Sequence, residues 1–241
     1  MHALRSANSC VLPARPVVTG KRMRITGTLC AASIVLGGCS SKLTQPEEYS
    51  GYLGDYSHLT QTTSPSGASV MRWVEPSLDV SQYDSFYIEP SQFYPVPSPG
   101  EIIPHSTLQG ISDDYDRALK HELGKSLPVV TTPGSRSIIV RPAITAVSTK
   151  VEGLHFYEVI PVALVAAAVS AATGIRDRET SIATEAVFLD AADYRVLAQL
   201  VRKGSGQTLE NDSQVMRASD VKKVLDGWAV DINQSYLKFK Q

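Results

Sequence analysis

Ser181-Ile182-Ala183-Thr184-Glu185-Ala186-Val187-Phe188-Leu189 and Arg195-Val196-Leu197-Ala198-Gln199-Leu200-Val201 flank a five-residue spacer, Asp190-Ala191-Ala192-Asp193-Tyr194. Both flanks are rich in the aliphatic and β-branched residues that suit a pleated strand. A spacer of that length closes a hairpin, whereas a parallel pair would need a crossover of a dozen residues or more. This pair is therefore antiparallel, and the rest of the chain can be read outward from it.

Downstream, Gly204 and Gly206 read as the end of the second strand. Val221, Val224, Leu225, Trp228, Ile232, Tyr236 and Phe239 then recur at helical spacing, with Ser219 at the N-cap position. Upstream, Ser137 to Val147 is a second clear strand. Ile138, Val140, Ile144 and Ala146 face one way, and Ile139, Arg141 and Val147 the other. Pro142 lacks a ladder donor, so this strand is expected at an edge or with a bulge. Between these strands lies Val159 to Ile175, uncharged and alanine-rich. Ala166, Ser170 and Gly174 repeat every four residues, a spacing that lets a helix approach a partner closely. This helical insert can pack within the domain, meet a second protein, or enter a bilayer.

Further upstream, Leu108, Ile111, Tyr115, Leu119, Leu123 and Leu127 follow a helical period that begins at Ser106 or Thr107 and stops at Pro128. Asp113, Asp114 and Asp116 fall in its early turns, where carboxylates suit the helix dipole. Phe93 to Pro104 is a proline-rich loop. Val70 to Val74, Asp84 to Glu89 and Val129-Val130 are short strands. Together these give an α+β domain over residues 70–241. It has an antiparallel or mixed sheet with two amphipathic helices on one face, plus the Ala-rich helical insert.

The N-terminal part has a different logic. Lys21, Arg22 and Arg24 precede a short apolar run, Ile25 to Leu36, and then Gly37-Gly38-Cys39. The run is too short for a span, which takes about 20 residues. Basic, apolar and small residues in that order form an export signal cut before Cys39, whose thiolate then accepts lipid. Residues 1–38 are the signal, with Met23 as the natural start. Residues 39–69 are the lipidated cysteine and a polar tether. Within the tether, Tyr49-Ser50-Gly51-Tyr52-Leu53-Gly54-Asp55-Tyr56-Ser57-His58-Leu59 is unusually aromatic. It reads as a strap across the domain surface or as a docking epitope.

Five of the 23 Lys and Arg residues (Arg5, Arg15, Lys21, Arg22, Arg24) precede Cys39, and all 24 acids follow it. The mature chain is therefore acidic, which argues against nucleic acid and anionic lipid surfaces as partners. Cys10 and Cys30 leave with the signal, so the domain has no internal disulfide. No histidine stands in a metal pattern, and no phosphate loop, dinucleotide fingerprint or nucleophile elbow is present. No metal, cofactor or catalytic set is expected. Glu185 is the one acid worth following, either as the solvated face of a strand or as a hydrolytic carboxylate. As a strand acid it should point to solvent or pair with a neighbouring strand.

Three stretches resemble a family of Gram-negative lipoproteins catalogued only as a domain of unknown function. They are Cys39-Ser40-Ser41 leading to Tyr49–Tyr56, Tyr83-Asp84-Ser85-Phe86-Tyr87-Ile88, and Glu185-Ala186-Val187-Phe188-Leu189-Asp190. The resemblance implies an envelope protein and assigns no activity. Ser40, rather than Asp, after the lipidated cysteine points to the outer membrane. The periplasmic side is taken for the domain by default, since no residue encodes it. The expectation is a non-enzymatic outer-membrane lipoprotein binding another envelope component or itself. The alternative is an envelope hydrolase using Glu185.

Overall fold

The two flanks that frame Asp190–Tyr194 do pair antiparallel, and they stand in the middle of the sheet. The computed structural model describes residues 43–100, 102–151, 178–211 and 213–240. Its strands are β1 (Thr60–Thr63), β2 (Ser69–Val74), β3 (Ser85–Ile88), β4 (Gln92–Phe93), β5 (Val129–Val130), β6 (Ser137–Val151), β7 (Arg178–Asp190) and β8 (Val196–Leu209). The helices are α1 (His105–Leu123) and α2 (Ser219–Phe239). The order across the sheet is β1-β2-β8-β7-β6-β3-β5, with β4 also on β6. Strands β1, β2, β8, β7 and β6 pair antiparallel, whereas β3 and β4 lie parallel to β6 and β5 parallel to β3. This is a mixed sheet in an α+β fold.

Pro142 sits inside the sheet rather than at an edge. Val140 and Ile144 accept from the Glu89 and Tyr94 amides, so backbone groups of even-numbered residues here turn toward β3 and β4. Pairing with β3 ends at Val140 and pairing with β4 begins at Ala143. The missing Pro142 donor falls in that gap, where no ladder bond is required. The bulge expected of this strand appears just beyond, between Ile144 and Ala146. It adds one residue and reverses the facing that strict alternation gives. Val147 therefore joins Ile138, Val140 and Ile144 in the helix-side core, and Ala146 turns to the other face with Ala183.

Gly204 and Gly206 do not end β8, which runs on to Leu209. Their role is to let α2 come close. A Cβ on Gly204 would stand 2.8 Å from Val224 Cγ1, and one on Gly206 would overlap the Asp220 carbonyl oxygen. α2 packs there with α1 beside it, and Tyr115, Leu119, Leu123, Val221, Leu225 and Ala229 meet Phe86, Val140, Ile144 and Ile182 in one core. Ser219 opens α2 instead of capping it. The cap position is Ala218, and the Asp220 carboxylate accepts from the Arg217 amide at 2.7 Å. α1 likewise begins one or two residues early, at His105 behind Pro104, and stops at Leu123. Its three aspartates are all engaged, two within the helix and one with the segment before it. Asp113 accepts from Gln109, Asp114 pairs with Arg117, and Asp116 accepts from the Ser91 amide.

The sheet also takes in residues that composition assigns to the tether and the proline-rich loop. β1 lies between Leu59 and Ser64, and β4 ends at Phe93. Polar Thr60-Gln61-Thr62-Thr63 carries no apolar alternation to betray it. Its register comes from β2, through a turn in which Ser64 and Ala68 bond around Gly67.

Candidate functional site

Two places bring together side chains of chemical interest, one on each face of the sheet. On the face away from the helices, Glu185 stands mid-strand between Ala143 of β6 and Val201 of β8. It is wholly buried, so it is not a solvated strand acid, and neither of its side-chain hydrogen bonds goes to a neighbouring strand. Its partners come from the segment before β1. The Ser50 amide donates to Oε1 at 3.0 Å, and the Tyr56 hydroxyl donates to Oε2 at 2.6 Å. Alternation placed Glu185 on the face without helices, but pointed to solvent because the covering segment is 129 to 135 residues away.

That segment is the strap, and its sequence explains its shape. Gly51 and Gly54 hold φ of 89° and 75°, values that favour glycine, and fold the chain tightly. The fold turns Tyr56 back so that its oxygen accepts from the Gly51 amide at 2.8 Å and the Leu53 amide at 3.3 Å. Tyr49 stacks on Tyr56 with ring centres 4.4 Å apart. Tyr52 lies against Tyr94, and Glu48 pairs with the buried Lys203. Burial, and then the Glu185 carboxylate, push the Tyr56 phenol up to about 12. Of the two sequence readings, the strap is the one the structure shows. No histidine is among the partners of Glu185 in the described residues.

On the helix face, a cavity of about 80 Å³ lies between the sheet and the last turns of α2. Val70, Phe86, Ile138, Leu200, Ile232 and Tyr236 are among its walls. Phe239, 43 % exposed, marks the open side. Its only charged lining groups among the described residues are two guanidiniums, Arg72 and Arg202. Arg202 is 5 % exposed and donates from Nη1 to Asp231 Oδ2 at 2.9 Å. Asp231 also accepts from the Ser66 amide and hydroxyl, both at 2.8 Å. Burial alone would raise this carboxyl, but the Ser66, Ser64 and Arg202 contacts outweigh it and hold it below its usual range. The Arg202 Nε–H is buried and meets no acceptor. Arg72 has no carboxylate partner among the described residues and lies 6.0 Å from the Phe239 ring centre. Burial and then Arg202 lower its pKa. Sequence reasoning did not find this site, because its charges and walls come from seven separated elements.

The remaining sequence candidates fall elsewhere. Cys39, the residues before it, and the insert with Ala166, Ser170 and Gly174 lie outside the described residues. Among the described residues no group of His, Cys, Asp and Glu is placed to hold a metal ion. None of the described helices is long and apolar enough to cross a membrane.

A mixed eight-stranded sheet, helices on one face and an aromatic strap on the other define the class of domain. The chain belongs to the family described as Protein of unknown function (DUF3313), which it matches over residues 48–232. It is 44 % identical over 198 residues to the uncharacterized lipoprotein YdcL of Escherichia coli K12, covering 82 % of this chain and 89 % of that one. The E. coli O157:H7 protein of the same description matches equally. Among solved structures, it is similar to the PelC dodecamer subunit from Paraburkholderia phytofirmans, with 10 % identity and a TM-score of 0.37 over 68 % of this chain and 98 % of that one. A Xanthomonas campestris protein of the DUF330 family matches with 11 % identity and a TM-score of 0.36, over 69 % and 90 %.

Proposed function

We propose that this protein is a lipoprotein anchored through Cys39 in the outer membrane, whose periplasmic domain is a non-enzymatic binding module. The lipobox Leu36-Gly37-Gly38-Cys39 and the 44 % identity to a protein described as a lipoprotein support the anchor. The observation that carries the binding reading is the state of Glu185. Both of its carboxylate oxygens are committed to the strap, so the residue that would serve a hydrolase serves as a fastening. The second site offers apolar walls and unspent positive charge, the makings of a binding pocket.

The anchor is tested by fractionation. Wild-type protein should sediment with the outer membrane and carry the mass of a diacylglyceryl group on its N-terminal peptide. Cys39→Ala should lose both. Retention of Cys39→Ala in the outer membrane would refute the anchor. The insert is tested separately by cross-linking: Ser170→Leu should abolish cross-links to envelope proteins or to a second copy if Ala166, Ser170 and Gly174 form the contact. Envelope extracts should show no hydrolytic activity that depends on Glu185. An activity abolished by Glu185→Gln, with the strap intact, would reinstate the hydrolase.

A further inference from the structure

We propose that the cavity beneath α2 binds a small anionic amphiphile, a fatty carboxylate, with its chain among the apolar walls and its head against Arg72 and Arg202. The proposal rests on the binding-module reading and names the ligand class of that module.

Charge comes first. Two guanidiniums border the cavity, and Arg202 alone is paired with a carboxylate, Asp231, among the described residues. Asp231 is already filled by Arg202 Nη1 and by Ser66. The site therefore holds one positive charge without a counterion among the described residues. That charge is Arg72, half-buried beside the apolar walls, where an incoming anion is attracted more strongly than in open water. The Arg202 Nε–H is the second sign. It belongs to a side chain 95 % buried, on a residue that lines the cavity, and it lacks an acceptor. A carboxylate can accept there and from Arg72 together, since guanidinium donors match its two oxygens.

The walls decide the rest of the ligand. Val70, Phe86, Ile138, Leu200 and Ile232 offer no polar side-chain group, so a free inorganic anion would fit the head position and waste the cavity. An alkyl chain gains about fourfold in affinity for each buried methylene until the space is full. The opening beside Phe239 gives the chain a way in and sets the guanidinium of Arg72 near the entrance.

The test is a calorimetric titration of the chain begun at Ser40. The buried core cluster lies between Val70 and Tyr236, so that chain keeps the core. Octanoate should bind with one-site saturation. Affinity should climb by roughly fourfold per methylene from butanoate to hexanoate. Octanol should bind at least tenfold more weakly, and octyltrimethylammonium not at all. Arg72→Gln should bring octanoate down to the affinity of octanol and leave octanol unchanged. Ala198→Phe, on the wall, should abolish binding of both. Where that variant does not fold, Ser235→Phe fills the same space from α2. The proposal is overturned if octanoate never saturates, if octanol binds as well as octanoate, or if binding survives a folded cavity-filling variant. Loss of octanoate binding with fractionation intact removes this ligand class alone. Failure of the anchor with octanoate bound removes only the membrane location.

Discussion

Tyr56→Phe removes one oxygen atom and should loosen the whole strap. That oxygen makes three contacts: it donates to Glu185 at 2.6 Å and accepts from the Gly51 and Leu53 amides. Gly51 is exposed and Leu53 is half-buried, so both amides can turn to water at little cost. Glu185 is 0 % exposed and has no such recourse. Loss of a hydrogen bond to a buried charged group costs about 1.5–3 kcal/mol, and the stranded oxygen puts the expectation at the upper end, about 2–3 kcal/mol. In a domain of this size 1 kcal/mol moves the melting point by about 2–4 °C, so the variant should melt about 4–12 °C lower. Tyr49→Phe is the control, because it keeps the stacked ring and its hydroxyl has no partner among the described residues. It should stay within about 0.5 kcal/mol of wild type. The combination Tyr56→Phe with Glu185→Leu should cost less than the sum of its parts, since no stranded charge is left. Calorimetric melting reads the global effect. Limited proteolysis, followed by mass spectrometry of cuts between Thr44 and Leu59, reads the local one. A melt within 1 °C of wild type and an unchanged cleavage rate would show that the strap is held by other contacts, and the reasoning would fail.

Gly206→Ala should destabilise by about 1–3 kcal/mol in a urea titration, because its Cβ overlaps the α2 backbone and neither β8 nor α2 can retreat freely. Gly227→Ala meets nothing within 4 Å and should instead stabilise α2 by about 0.5–1 kcal/mol in the same assay. Asp231→Asn strands Arg202 and should cost about 3–5 kcal/mol at neutral pH. The wild-type carboxyl is depressed, so its contribution is full above its unfolded pKa near 4 and drains away as pH falls through the lower folded value. The gap between wild type and variant should therefore narrow below pH 4. The phenols of Tyr56 and Tyr83 are raised to about 12, the second by burial and its bond to Asp190. Neutral phenol is favoured in the fold, so that stability is complete below pH 10 and lost as pH rises toward 12, measurable as late-ionising absorbance at 295 nm.

Elements with a local pattern were legible before any coordinates. The hairpin at Asp190–Tyr194 and the apolar faces of α1 and α2 follow from spacing alone, whereas spacing left the sheet antiparallel or mixed until β3, β4 and β5 were seen to pair parallel. Most of the larger misreadings have a cause that single-strand or single-helix periodicity does not carry. Gly204 and Gly206 look like strand breakers until α2 is laid over them. Ala146 and Val147 exchange faces because of one bulge. Glu185 looks solvated because alternation describes a strand and not what lies on it. The cavity was invisible for the same reason, since Arg72 and Arg202 are far apart in the chain and adjacent only through β2 and β8 pairing.

The strap also sets a distance. Thr44 is already buried against the domain, five residues from Cys39. At about 3.5 Å per residue, a chain anchored at Cys39 has at most roughly 18 Å of leash. If the whole strap is released, from Lys203 as well as Glu185, the first fixed point becomes Thr60, and the same anchor would allow roughly 70 Å. The strap's fastenings, Glu185 and Lys203 among them, thus set how far a domain anchored at Cys39 would stand from its anchor.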